Sequence, residues 1–492
     1  MVRVRVGLTA ALASALILPL AGALLLPRAA AAGPPGKWTA VSPATLDSLS
    51  QADAARRADG ELVAEWAHAG TPDVLESVRV SAAGAVSPYV TTSGAWEAAT
   101  NPGLVHTPSN DFVEAWFGAQ GLADFDGGLY RSQLAASATS WTVSDVNLID
   151  PSVSSAYASS NVSTAWSPNQ SMVFAVWDQA GYVYVVRSPG IGTSTQTLLE
   201  GGSNALYPNV ACDPRATGSS VLAAWASQSS THPGVKIAAV DPATGAPGTA
   251  TTLPGSVTTF AGTPSFDVMM QRTALVAQPG GSFAVAYPVG YPSTHVVRLW
   301  HATTSGSTGS IDLATGSSHK SAVALAVEPD SARLWAAWAD QVGSKTFIRV
   351  RRSNSSGTRF GATVTLSLPS GASAVQSICA EGGTNRLDIV ALLAQPSGHY
   401  RQFHTQVLPG LTVAASPGSI KVGAKKTVTI RVGDVTAALK NALVKLGSKA
   451  VKTNSAGKAS FKIGPFKKAT TLKFIVSRSG YTTTSLSFKV KK

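Results

Sequence analysis

The feature that most constrains this chain of 492 residues is a repeat. Residues 333–360, RLWAAWADQVGSKTFIRVRRSNSSGTRF, hold an apolar run through Trp338, a polar loop, an alternating run and a Ser/Asn/Gly turn. Alternation with a period of two reads as a half-buried strand. Ser, Asn and Gly accept the dihedrals of a tight turn. The apolar run recurs as ELVAEW at Trp66, DFVEAW at Trp116, MVFAVW at Trp177, VLAAW at Trp225, SFAVAY at Tyr287 and LDIVALL, where Leu392 takes the aromatic's place. These anchors lie 48 to 62 residues apart, in or just above the period of propeller blades. One such unit cannot bury both its faces, so stacking of neighbours must make the core. Seven units predict an all-β chain whose residues 37–410 form a seven-bladed β-propeller of four-stranded antiparallel sheets.

The seventh unit lacks a fourth strand of its own, because the chain leaves it at Pro409. Residues 37–42, KWTAVS, resemble SWTVS at 140–144, an outer-strand position of the second unit. The segment around Trp38 is therefore expected to supply the missing strand and close the ring, leaving no open edge. Cys212 and Cys379 each stand thirteen residues before an anchor, on the first strands of the fourth and seventh units. Those units face each other across a ring, beyond the roughly 7 Å that a disulfide can span. Two buried thiols are expected instead.

Charged residues make up 13% and hydrophobic residues 44%, which excludes general disorder. The net charge of +13 is unevenly placed. From Leu411 onward there are 15 Lys, 2 Arg and a single acid, Asp434, giving +16 and leaving −3 for everything before it. So sharp a shift marks a domain boundary. Residues 411–492 read as six short alternating runs, from LTVAAS to SLSFKV, which predicts a small basic β-sandwich. At the other end Arg3 and Arg5 precede an apolar run and PRAAAAG. Residues 1–32 thus read as a secretory signal, with an uncleaved membrane anchor as the alternative. A secreted or extracellular location, with cell-envelope association, is expected.

The unit VWD…VYVVRS and AWAD…TFIRVRRSNSSG resembles the sialidase-like, Asp-box (BNR) propellers. In that family the third strand ends in Ser-x-Asp-x-Gly-x-x-Trp. Here Ser353, Ser355, Gly357 and Phe360 stand in those places, with Ser for Asp and Phe for Trp, and Ser188 and Gly192 echo the turn in the third unit. The resemblance implies fold. The family's arginine triad, Tyr/Glu pair and Asp are placed by no motif in this chain. The tail, NALVKL…KTNSAGKASFKI…SRSGYTTTSLSFKV, resembles bacterial Ig-like or carboxypeptidase-regulatory-like modules, which implies a spacer or adhesion unit without catalysis.

A basic residue follows each anchor on what would be the next strand: Arg79, Arg131, Arg187, Lys236, Arg298, Arg349 and Arg401. Five of them, Arg131, Arg187, Arg298, Arg349 and Arg401, are the candidate ligand contacts. The competing reading is structural, since repeats share structural residues first. Asp178 and Asp340 follow their anchors, and Glu65 and Glu114 precede theirs. A carboxyl pair about 5 to 9 Å apart could cleave a glycoside, but equivalent positions of different blades are expected to lie too far apart. Asp124 and Asp126 in ADFDGG are a calcium candidate set against an ordinary acidic turn. No other cofactor is indicated. The lysine-rich tail suits an anionic envelope polymer, and nucleic acid is disfavoured because the tail lacks aromatic platforms. The sequence therefore points to a monomeric exported binding protein for carbohydrate or a protein partner. A sialidase-class or glycosidase-class hydrolase and a structural envelope component are the alternatives.

Overall fold

A computed structural model of the chain describes residues 35–119, 128–135, 142–147, 161–179, 181–188, 195–201, 205–227, 234–256, 271–290 and 294–492. The expected signal, residues 1–32, and Asp124, Asp126 and Gly192 lie outside the described residues. Among the described residues the chain is all-β, apart from one short 3-10 turn at Pro396–Gly398.

Each of the seven apolar runs is the second strand of its own antiparallel sheet. These strands are Leu62–His68, Phe112–Ala119, Met172–Gln179, Val221–Ser227, Ser282–Val289, Leu334–Val342 and Arg386–Ala394. All seven anchors are buried. The runs are largely apolar because both faces of each strand are covered. Val221–Ser227 is buried at every position, with Trp225 in the core against the third sheet and Ala224 in the core against the fifth. The core is thus a set of wedges between successive sheets. One of these, between the seventh sheet and the first, joins Leu392 to Trp66.

The first strands run in contact around a ring: Asp53–Arg56, Gly103–His106, Val162–Ser167, Ala205–Cys212, Ala274–Gln278, His319–Val327 and Ala374–Gly383, with the last returning to the first. Approach at the axis is close. A Cβ on Gly103 would meet the backbone of Ser163 and Thr164 at 2.9–3.0 Å, and one on Gly382 would meet the Val327 carbonyl. Both positions therefore require glycine. Cys212 and Cys379 are buried on the first strands of the fourth and seventh sheets, in different core wedges.

The seventh sheet takes its fourth strand from the other end of the chain. Thr39–Ala40 pairs antiparallel with Tyr400–Val407, Thr39 opposite His404. The Trp38 indole donates to the Ser367 carbonyl of the sixth sheet (2.8 Å), and Arg401 donates to the Ser42 carbonyl (2.7 Å). This is the closure expected from KWTAVS.

Residues 411–492 form two sheets around a single core that includes Val428, Val444, Phe461, Phe474 and Phe488. Alternation places the apolar residues inward and the lysines outward. All fifteen lysines are exposed. Asp434 is buried and holds this part of the chain to the sixth sheet. Its carboxylate pairs with Arg333 (2.8 Å) and Arg352 (3.2 Å) and accepts a hydrogen bond from the Tyr481 hydroxyl (3.0 Å).

Candidate functional site: an axial cavity

The first strands of all seven sheets line one cavity of about 490 Å³ on the ring axis. One segment, Gln271–Thr273, ties the strands together across it. The Arg272 guanidinium pairs with Asp53 (2.8 Å) and donates to the carbonyls of Val162 (3.0 Å) and Ala52 (3.1 Å). Its backbone N–H donates to Gln51 (2.9 Å). Gln271 accepts from the Ile378 N–H (3.0 Å) and donates to the Val323 carbonyl. Asn209 donates to the Thr273 carbonyl (2.9 Å), and Asp53 accepts from the Leu104 N–H (2.8 Å). Every sheet is thereby joined to the axis by a side-chain hydrogen bond. Much of the remaining cavity wall is Ala, Val, Leu and Ile, so these buried polar groups satisfy one another.

Two further charged residues stand in the wall. Arg56 donates to the Gly382 and Gly60 carbonyls (2.9 Å each) and pairs with Asp388 (2.5 Å), which also receives His404 (2.8 Å). Glu381 lies opposite Asp388 on the neighbouring strand. Among the described residues Glu381 forms no hydrogen bond or ion pair. Burial pushes its carboxyl up to about 8, with Arg56 opposing the shift and Asp53 and Asp388 adding to it. At neutral pH it is therefore a carboxylic acid, one donor and one acceptor free in the cavity.

The five candidate arginines do not reach this cavity. They lie on the third strands of five different sheets, and register divides them. Arg298 and Arg349 stand directly opposite their anchors, as Lys236 does. Arg131, Arg187 and Arg401 stand opposite Ala115, Phe174 and Leu393, an odd number of residues from the anchor and so on the other face. Each has local partners. Arg298 pairs with Asp312 (2.7 Å) and Arg349 with Asp340 (3.0 Å). Arg187 donates to the Pro242 carbonyl (3.0 Å), and Arg131 reaches Ser188 (3.4 Å).

Glu65 and Glu114 meet, against expectation. Both are fully buried between the first and second sheets, their carboxyl groups within hydrogen-bonding reach of each other. Glu65 accepts from the Thr92 hydroxyl (2.6 Å), and Glu114 accepts from Ser132. Two carboxylates cannot hydrogen-bond without a proton between them, so the pair holds one. Burial raises both, and the Glu65 charge carries Glu114 well above the usual carboxylate range. With no exposure, the pair is sealed from substrate. Asp178 is likewise a strut: it accepts from the N–H groups of Asn161 (2.5 Å) and Tyr207 (3.0 Å), and burial holds its carboxyl up at about 7. In the resembling turn, Asn354 makes the cap by accepting from the Arg359 N–H (3.0 Å), Gly357 takes the positive φ of 71°, and Ser355 holds the family's Asp position.

The axial residues escaped sequence reasoning because they do not repeat. One signal could have found Asp53. It stands thirteen residues before Trp66, the offset that places Cys212 and Cys379 on first strands.

No family model matches the chain, and no curated protein matches it. Solved structures with some likeness include a protein of unknown function from Dyadobacter fermentans, 12% identical, covering 76% of this chain and 98% of that one at a TM-score of 0.46. AofleA from Arthrobotrys oligospora is 8% identical, covering 68% and 89% at 0.43. A mutant Aleuria aurantia lectin in complex with Fucα1-6GlcNAc is 12% identical, covering 62% and 91% at 0.39. What those proteins bind is a property of those proteins.

Proposed function

We propose that the chain is an exported seven-bladed β-propeller, residues 37–410, followed by a basic Ig-like module, residues 411–492. The propeller binds a small polyhydroxylated ligand, a carbohydrate, in its axial cavity, and the module associates with an anionic envelope polymer. The observation that carries the ligand assignment is the cavity itself. Its volume falls in the range of small-molecule sites, about 300–1,000 Å³, and its one unengaged charged-residue side chain is an acid that both donates and accepts. Such a group suits a hydroxyl better than an ion. Export rests on residues 1–32 and the module's role on its fifteen exposed lysines.

A glycan screen on the intact secreted protein tests this. Glu381→Leu should weaken the selected glycan about tenfold, the worth of a lost hydrogen bond to a polar ligand. Affinity should fall as pH rises through about 8, because ionised Glu381 no longer donates. A glycan that binds with no dependence on Glu381 or pH would move the site elsewhere.

The same geometry favours a second reading, a hydrolase. Asp53 and Glu381 line one cavity with Arg56 and Arg272, an acidic pair beside arginines of the kind that divides acid and base roles. Turnover of a bound glycan that Glu381→Gln abolishes while binding persists would establish it.

A further inference from the structure

Strand register gives the basic module two unequal outer faces. In the five-stranded sheet, the spatial order is Ser419–Lys421, Thr484–Lys491, Thr470–Ser477, Leu443–Leu446, Lys449–Lys452. Lys421 stands beside Lys491, and Ser419 beside Lys489. Lys489 stands opposite Thr471, and Lys473 opposite Ser487. Lys445 stands opposite Ile475, and Lys452 opposite Leu443. Residues directly opposite share a face, and Phe474, Val476, Phe488 and Val490 point into the core. Lys421, Lys445, Lys452, Lys473, Lys489 and Lys491 therefore all stand on the outer face, at least one from every strand. Ser419, Thr471, Ser485 and Ser487 fill the spaces between them. The opposite sheet's outer face carries Arg431, Lys458 and Lys462 among Thr and Ser.

We propose that this six-lysine face is the docking surface for a linear polyphosphate-type chain; the proposal rests on the reading of the module as an anionic anchor. Charge complementarity argues for it. The segment's one acid, Asp434, is buried in its own ion pairs. Among the described residues the lysines that form ion pairs are Lys236 and Lys320, both outside the module. The six ammonium groups are thus uncompensated. At the backbone, Lys421 and Lys491 stand side by side about 5 Å apart, and the other cross-strand neighbours are diagonal, about 7–8 Å apart, so the charges spread over the sheet instead of converging on one point. A single phosphate would engage one or two, whereas an extended chain engages the row. The face has one large exposed apolar side chain, Ile475 at 44%, too little for insertion into a lipid surface. The hydrogen bonds and ion pairs to the rest of the chain lie at Asp434 and Thr482, and all six lysines stay exposed, which leaves the face open.

The test uses the intact protein and long-chain inorganic polyphosphate at several salt concentrations. One variant carries Lys→Gln at 421, 445, 452, 473, 489 and 491. A control of equal charge carries Lys→Gln at 425, 426, 458, 462, 467 and 468. The wild type should bind with a log K against log salt slope of about −4, from six contacts on a single-stranded polyanion. The face variant should bind about a hundredfold more weakly at low salt with a nearly flat slope, and the control within about threefold of wild type. Because every substituted lysine is exposed, melting temperature should be unchanged in both, which separates lost binding from lost fold. Equal losses in both variants would overturn the face assignment and leave a diffuse anionic anchor. Absence of polyphosphate binding by the wild type would overturn both. Wild-type binding to phosphatidylglycerol vesicles but not to polyphosphate would also overturn the proposal, in favour of a lipid surface.

Discussion

Glu65 and Glu114 precede the anchors of consecutive repeats, and their shared proton links the first two sheets. Each is raised above its ordinary value, so its stabilising effect is full below the ordinary carboxylate range and is lost as pH rises through the elevated folded value. Melting temperature should therefore fall toward alkaline pH. In Glu114→Gln an amide N–H replaces the shared proton, and the fall should become shallower. Asp178 and Glu381 act with the same sign, so the comparison is between variant and wild type across one pH series; identical slopes would dismiss the shared proton. At the axis, Arg272→Met leaves Asp53 inside the ring without its cation. Arg272 is buried but Asp53 is 21% exposed and keeps the Leu104 N–H, so a loss of about 3 kcal/mol, the low end for removing one partner of a buried pair, is expected, read as a shift in denaturant midpoint. A loss under about 1 kcal/mol would show that Arg272 is not what joins the sheets.

Among the elements, one of the shortest strands closes the ring. Thr39–Ala40 has two residues, yet it covers the edge of Tyr400–Val407 and brings the Trp38 indole to the sixth sheet. Deleting residues up to 41 should lower the melting temperature and expose an unpaired edge, with concentration-dependent association measured by light scattering. A deleted protein that melts and scatters like the wild type would mean that the seventh sheet stands on three strands. The second strands behave differently, because each is packed from both sides. Trp225→Ala should cost about 3–5 kcal/mol, drawn from the wedge shared by the third and fourth sheets.

For the whole molecule, the decisive contact is between its negatively and positively charged parts. Asp434 is the module's one acid, and Arg333, Arg352 and Tyr481 converge on it. Arg352 also pairs with Glu328 (2.6 Å), so the junction is a network. Asp434→Ala should uncouple the two parts, turning a single calorimetric transition into two and opening the chain near Pro409 to protease. A single unchanged transition would show that other contacts hold them together.

The chain's own order determined the repeat, its seven anchors, the strand borrowed from the N-terminal side and the charge boundary at Leu411. These features are periodic or compositional, and burial on two faces of a strand must be written in the residues of that strand. Only the tertiary structure decided which face each recurring basic residue takes, because a slip of one residue in register reverses a side chain; Arg298 and Arg401 look alike in sequence and face opposite ways. It alone decided the axial site as well. Asp53 and Arg272, or Arg56 and Asp388, are separated by more than two hundred residues. Nothing in the local pattern of one repeat records its partner across the ring.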